Sequence, residues 1–192
     1  TPIVKSWPSE WCLEANSQAI QIHGGYGYTR DFPVEQYWRD NRLNMIHEGT
    51  HGIQAMDLLG RKVLWQEGKA MQLLVARMLD TVARARSHDA LSRHPQALEH
   101  AVAELTACTQ AAWQGQNPTV TLANAVPYLQ GFGHVVLAWI WLDLGLTLVT
   151  LTSSPAVQGR WACMNFFFRY ELPKIGAWLA VVRDRDTTCL DV

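Results

Sequence analysis

Between Met71 and Val82 the apolar residues Met71, Leu74, Val75, Met78, Leu79 and Val82 fall at i, i+3, i+4, i+7, i+8 and i+11. That spacing puts them on one face of an α-helix, whereas a strand would scatter them over two faces. Leu98, Val102, Leu105 and Thr109 outline a second helix, reaching to about Gln114, after the break "SHDALSRHPQ". "GQNPTV" reads as a turn. Residues from Asn124 to about Thr152 are apolar nearly all round, which suits the centre of a bundle, with Pro127, Gly131 and Gly133 expected to bend the early part. "SSPA" opens a last helix, about Pro155 to Arg183, with a stripe of Trp161, Met164, Phe168 and Leu172 and a permitted kink at Pro173. No segment of useful length has strand period, and there is no repeat or low-complexity tract. The predicted class is all-α, a helical bundle.

The first third of the chain is less regular. A helix is expected from about Ser9 to Ile22, with Trp11, Ala15, Ala19 and Ile22 on one stripe and Ser6 or Ser9 as the N-cap. "GGYGYT" must end it, its glycines permitting positive φ and close backbone approach. Pro33 then suits the first turn of a short helix running to about Asp40, followed by an irregular link, "NRLNMIHEG". Thr50 can cap the next helix, whose apolar positions Ile53, Met56, Leu59 and Val63 hold until about Gln66. Composition changes near Trp65 to Lys69, so two parts are expected, residues 1–66 and 67–192.

Hydrophobic residues make up 48% of the 192 and charged residues 17%, below the roughly 25% usual for globular chains. With nine tryptophans as well, much surface should be buried against something, and a homo-oligomer is the expectation. A net charge of -1 without a Lys/Arg cluster gives no basic field for nucleic acid or anionic lipid. The segment Val135 to Leu151 is short of the ~20 residues a span needs and carries Asp143, so a buried bundle helix is expected rather than a membrane span. Four scattered cysteines suggest a reduced, cytoplasmic protein. Thr1 opens almost directly onto a helical pattern without the marks of a signal or transit peptide, and a piece of a longer chain is expected.

Several chemistries can be weighed on the motifs. "HEGTH" places His47 and His51 around Glu48, but Gly49 and Thr50 look like a helix start, whereas zinc binding by HExxH needs both histidines on an established helix. No metal site is expected. "GGYGY" is not a dinucleotide loop, since no strand precedes it. Cys108 and Cys163 fall on expected buried faces, where cysteine is usually a small hydrophobe. Asp143 within an apolar helix reads as a paired core carboxylate. Glu48, beside Gly49 at a helix mouth, could serve as a general base, or simply as a partner of the helix dipole.

"QIHGGYGYTRDFPVEQYWRD", followed by "IHEGT" and "GIQAMDLLGRKV", resembles the C-terminal helical domain of the flavin-dependent acyl-CoA dehydrogenases over about residues 9 to 63. The resemblance implies Glu48 as the catalytic base, taking a proton from the carbon next to a thioester carbonyl while hydride leaves the next carbon for FAD, giving a trans-2-enoyl-CoA. It implies contacts to the ADP part of a neighbouring subunit's FAD by Gln21 and the Gly24–Gly25 loop, and a further FAD contact by Thr50, with His51 and Gly52 departing from the family's commoner wording. Gly49 would line the thioester end of the acyl-CoA site, and Arg39 with Asp40 would form a structural ion pair. Electron-transfer flavoprotein is the implied partner. Residues 67 to 192, especially "NAVPYLQGFGHVVLAWIW", resemble the helical extension of a larger subclass that includes 3-methylthiopropionyl-CoA dehydrogenases. The expected identity is thus the C-terminal portion of such an enzyme, inactive by itself, with a non-enzymatic helical assembly module as the alternative.

Overall fold

The computed structural model describes residues 1–191, and every regular element among them is helical, in agreement with the expected all-α class. The chain forms two compact units, Thr1–Leu58 and a second beginning at Leu59.

The first unit contains α1 (Pro2–His23), a 3₁₀ turn (Gly24–Tyr28), α2 (Val34–Arg42), a second 3₁₀ turn (Leu43–Met45) and α3 (His51–Asp57). Helix α1 starts seven residues before the expected Ser9, because Pro2 falls at the helix start, where its missing N–H is no loss. Ser6 and Ser9 are therefore buried inside the helix rather than capping it, and Ser9 Oγ donates to the Ser6 carbonyl at 3.0 Å. The expected apolar stripe is not a buried one: Ala15 and Ile22 are exposed, Ile22 by 85%. Helix α2 begins after Pro33 as expected and packs on α1. The expected irregular link is instead helical as far as Met45.

The second unit begins inside a π-helical turn (Leu58–Lys62) and continues with α4 (Trp65–Ala85), α5 (His94–Trp113), α6 (Pro118–Ala123), α7 (Ala125–Leu148), α8 (Pro155–Phe166), a π-helical turn (Phe167–Glu171), a 3₁₀ turn (Leu172–Lys174) and α9 (Ile175–Asp184). Gln66, Glu67 and Gly68 are left-handed, so α4 runs regularly only from Lys69, where the periodic pattern starts. Helix α7 lies at the centre, against α4, α5, α8 and α9. Tyr128, Leu129, Val135, Ala138 and Leu142 are fully buried along it, which accounts for its all-round apolar composition. It is long and apolar enough to cross a membrane, with half of its most apolar window buried inside this unit. Pro127 sits in its first turn, where no hydrogen bond is lost, and α7 continues as one helix past Gly131 and Gly133. Gly131 is needed for packing: a Cβ there would lie 2.7 Å from Leu179 Cδ2 on α9.

The four expected apolar positions of α5 are all buried. Helix α6 was not legible as a helix; Asn117, whose Oδ1 accepts from the N–H groups of Thr119 and Val120, caps it where a turn is expected. The expected single last helix is two, since Pro173 can donate no backbone hydrogen bond and the chain passes through π and 3₁₀ turns before α9. Two side-chain placements also differ from expectation. Cys163 is exposed, and Asp143 lies at the surface of α7, bonded to Arg84 at 2.9 Å. Cys108 is buried as expected; burial pushes its thiol up to about 11, and Sγ donates to the Leu179 carbonyl at 3.5 Å.

One buried polar group in this core has no counterpart in the sequence reading. His134 on α7 is wholly buried, with Nδ1 3.1 Å from the Gln130 carbonyl and Nε2 3.7 Å from Glu171. Its ring stacks on Phe167 and meets Trp178 edge-on. Desolvation holds its pKa down at about 4, against an opposing pull from the Gln130 hydrogen bond and Glu171.

Candidate active site

The candidate residues of the first unit fall at two ends of helices. Gln21 lies in the last turn of α1, exposed, and its carbonyl accepts the N–H of Gly24. Gly24 takes φ 61°, where a side chain would be strained. Gly27 is glycine for a different reason: it is buried, and a Cβ would lie 2.5 Å from the Ile20 carbonyl oxygen. Gly25 is neither left-handed nor crowded, so its freedom is unused by the fold itself. A Cβ added at Gly24 or Gly25 would meet nothing within 4 Å. Exposed Gln21 and this bare backbone leave open surface at the end of α1.

Three aromatic rings hold the glycine turn. Phe32 lies 4.9 Å from the His23 ring and 6.1 Å, edge-on, from Tyr26. Thr29 Oγ1 donates to the Tyr26 carbonyl at 2.9 Å and accepts the Asp31 N–H at 3.3 Å. The chain therefore leaves α1 through a braced turn rather than a loose loop.

The second end is the start of α3. Glu48 is exposed at φ 55°, Gly49 follows at φ 97°, and Thr50 is the extended N-cap residue. The Thr50 hydroxyl makes no capping bond, a departure from the expected cap; its carbonyl instead accepts the Gln54 N–H at 3.0 Å. Gln54 Nε2 returns to the Glu48 carbonyl at 2.9 Å, and Lys5 of α1 donates to the Gly49 carbonyl. On the approach side, Asn41 Nδ2 donates to Asn16 on α1 at 3.0 Å, Asn44 to Asn41 at 2.9 Å, and His47 Nε2 lies 3.1 Å from Asn44 Oδ1. Lys5, Asn16, Asn41 and Gln54 were missed from sequence, since each bonds to residues distant in the chain or to backbone. His51, first residue of α3, has its pKa lowered by burial, partly offset by Glu10, whose Oε2 is 3.8 Å from Nδ1. The expected Arg39–Asp40 pair does not form. Neighbours on a helix point apart, and Arg39 reaches Glu35, one turn back, at 3.7 Å, while Asp40 faces Gln36 at 3.5 Å.

Two family models match this chain. One, described as the C-terminal domain of acyl-CoA dehydrogenase, covers residues 1–64; the other, described as acetyl-CoA dehydrogenase C-terminal like, covers 74–192. The chain belongs to the acyl-CoA dehydrogenase family. It is 35% identical over 161 residues to the 3-methylmercaptopropionyl-CoA dehydrogenase of Ruegeria pomeroyi, an alignment covering 82% of this chain and 27% of that protein. A broad-specificity linear acyl-CoA dehydrogenase of Mycobacterium tuberculosis is 25% identical over 206 residues, 100% of this chain and 34% of that protein. A subunit of the caffeyl-CoA reductase–Etf complex of Acetobacterium woodii is 45% identical over 58 residues, 30% of this chain and 15% of that protein. The chain thus spans about a third or less of the length of these acyl-CoA dehydrogenase relatives. The resemblance read from the glycine turn and "IHEGT" is supported, as is the likeness to the larger subclass.

Proposed function

We propose that this chain supplies the catalytic base and part of the flavin nucleotide site of an enzyme that oxidises acyl-CoA thioesters to trans-2-enoyl-CoA. The observation that carries the reading is the Glu48–Gly49 turn: two successive left-handed residues at the mouth of α3, within the segment matched by the acyl-CoA dehydrogenase family model. A carboxylate there is free of any structural ion pair among the described residues, so its charge is left for a ligand.

Glu48 takes the proton from the carbon adjacent to the thioester carbonyl. FAD, when bound, would supply the hydride acceptor, so that loss of H⁺ and H⁻ from neighbouring carbons leaves the double bond. The Glu48 backbone N–H donates to the thioester oxygen as negative charge develops there, an arrangement worth most where water is excluded. Gly49, without a side chain, leaves room for the thioester. Gln21, Gly24 and Gly25 would hold the nucleotide half of FAD, and Thr50 would add a second contact from the start of α3.

The assembly belongs to the same reading. The exposed Tyr28, Tyr37, Leu43 and Ile53 of the first unit supply apolar surface for further parts of the parent or a second subunit. Electron-transfer flavoprotein is the proposed redox partner, a reading supported by the relative named as part of an Etf complex.

The test is Glu48→Gln in the full-length parent, followed by anaerobic acyl-CoA-dependent flavin reduction. A loss of ~10³-fold or more with FAD still bound is expected, within the range for general-base catalysis. Unchanged reduction would remove Glu48 from the chemistry, whereas no acyl-CoA-dependent reduction in the unaltered parent would favour the non-enzymatic assembly module. The isolated 192-residue chain is expected to show no reduction in the same assay.

A further inference from the structure

We propose that Lys5 and Gln54 are positioning residues for Glu48, two donors that clamp consecutive carbonyls of its turn so that the base and the amides beside it keep one orientation. This rests on the assignment of Glu48 as the base. The turn needs such a clamp. A non-glycine residue at φ 55° is disfavoured relative to the right-handed region, and Gly49 next to it can visit almost any conformation. Left alone, this pair would exchange among several backbone shapes, each pointing the Glu48 carboxylate in a different direction.

The two donors come from independent directions. Gln54, in α3, reaches back six residues to the Glu48 carbonyl at 2.9 Å and lies against Gly49, where a Cβ would come within 2.8 Å of its Nε2. Lys5 reaches from α1, 44 residues earlier, to the Gly49 carbonyl, and its ammonium makes this a charge-assisted bond. Both side chains are half-buried. The Gln54 backbone N–H is already engaged with the Thr50 carbonyl at 3.0 Å, so the same residue grips the turn at both ends. Holding carbonyls rather than the carboxylate leaves Glu48 itself free to accept a proton. Lys5 thereby locks the turn to α1, the helix that also ends in the glycine turn.

The experiment compares Lys5→Met, Lys5→Arg, Gln54→Ala and Glu48→Gln in the full-length, flavin-loaded parent. Three readouts are taken: the rate of flavin reduction by acyl-CoA, its primary isotope effect with thioester deuterated at the carbon next to the carbonyl, and amide hydrogen exchange of Glu48 to Thr50 without substrate. Lys5→Met and Gln54→Ala are each expected to slow reduction by ~10-fold or more at a KM changed less than about twofold, because displacements near 1 Å are enough to disable a base. The isotope effect should rise, and exchange at the turn should accelerate while FAD content holds. Lys5→Arg, which keeps a charged donor, should restore exchange protection and most of the rate. Gln54→Glu, equal in size but lacking the N–H, replaces Gln54→Ala should that variant not fold. Unchanged exchange and reduction in Lys5→Met and Gln54→Ala, alongside abolished reduction in Glu48→Gln, overturn the clamp and keep the base. Unimpaired reduction in Glu48→Gln overturns the base, and the kinetic half of this proposal with it.

Discussion

The two units use apolar residues in opposite ways. From Leu59 onward they close on each other: Leu98, Leu105, Tyr128, Leu129, Leu142, Met164 and Leu179 are all at most 2% exposed, gathered round α7. In Thr1–Leu58 the buried set is Pro2, Ser6, Ser9, Gly27, Ala55 and Leu58, while Ile22, Tyr28, Leu43 and Ile53 are more than half exposed. The first unit holds its shape with turn chemistry, ring contacts and polar ties such as Asn16–Asn41 and Lys5–Gly49. The second holds its shape by excluding water. Apolar composition therefore signals a core in one unit and an available surface in the other, and the candidate base lies in the unit without a closed interior.

The largest expected effect falls in the second unit. Leu142→Ala removes a fully buried side chain from the central helix, where α4, α5, α8 and α9 leave little freedom to collapse into the gap. A loss of about 2–5 kcal/mol is expected in denaturant unfolding of the 192-residue chain. A loss below about 1 kcal/mol would mean that this core is far looser than its burial indicates.

A smaller and pH-dependent effect comes from His134 in the same core. Its folded-state pKa of about 4 lies below the ordinary 6.5, chiefly because burial disfavours the charged ring. The unfolded chain therefore binds the proton first as pH falls. Stability from this group is complete above about pH 6.5 and declines towards pH 4, by roughly 3 kcal/mol at most. His134→Asn should flatten that part of the stability curve, read as the difference between the two proteins in urea at about pH 7 and about pH 4.5. Parallel curves would show that the ring is not desolvated. Burial lowers His51 of the first unit in the same direction, but Glu10 nearby opposes it, so its variant should flatten the curve less.

The same contrast explains what was legible in the sequence. Leu98, Val102, Leu105 and Thr109 were readable because a packed helix must repeat its apolar residues every turn, and all four are buried. The stripe Trp11, Ala15, Ala19 and Ile22 follows the same spacing and fails, since periodicity reports which face is apolar and not what covers it. Expected caps failed for a related reason: Pro2 moved the start of α1 upstream, turning Ser6 and Ser9 into interior residues. At the candidate site the glycine turn and the start of α3 were readable from short motifs, whereas the Lys5 and Gln54 bonds to backbone carbonyls were not. A carbonyl is present at every residue, so its partner leaves no compositional trace. His134 was invisible for a further reason, its neighbours Phe167, Glu171 and Trp178 being brought to it by π and 3₁₀ turns that no simple periodicity predicts.

The smallest expected effect is the sharpest check on the comparison. Ile22→Ala removes as much apolar side chain as many core substitutions, yet Ile22 is 85% exposed at the end of α1, so little transfer free energy is lost and no cavity opens. The change in unfolding free energy should stay within about 0.5 kcal/mol, aided by the slightly better helix propensity of alanine. A loss comparable to that of Leu142→Ala would mean that Ile22 is covered in solution by another molecule. Self-association would then make the loss depend on protein concentration, because a partner that binds only the folded chain stabilises it by mass action. Equal, concentration-independent losses at Ile22 and Leu142 would instead break the distinction between the units, since they would require Ile22 to be buried within a single chain.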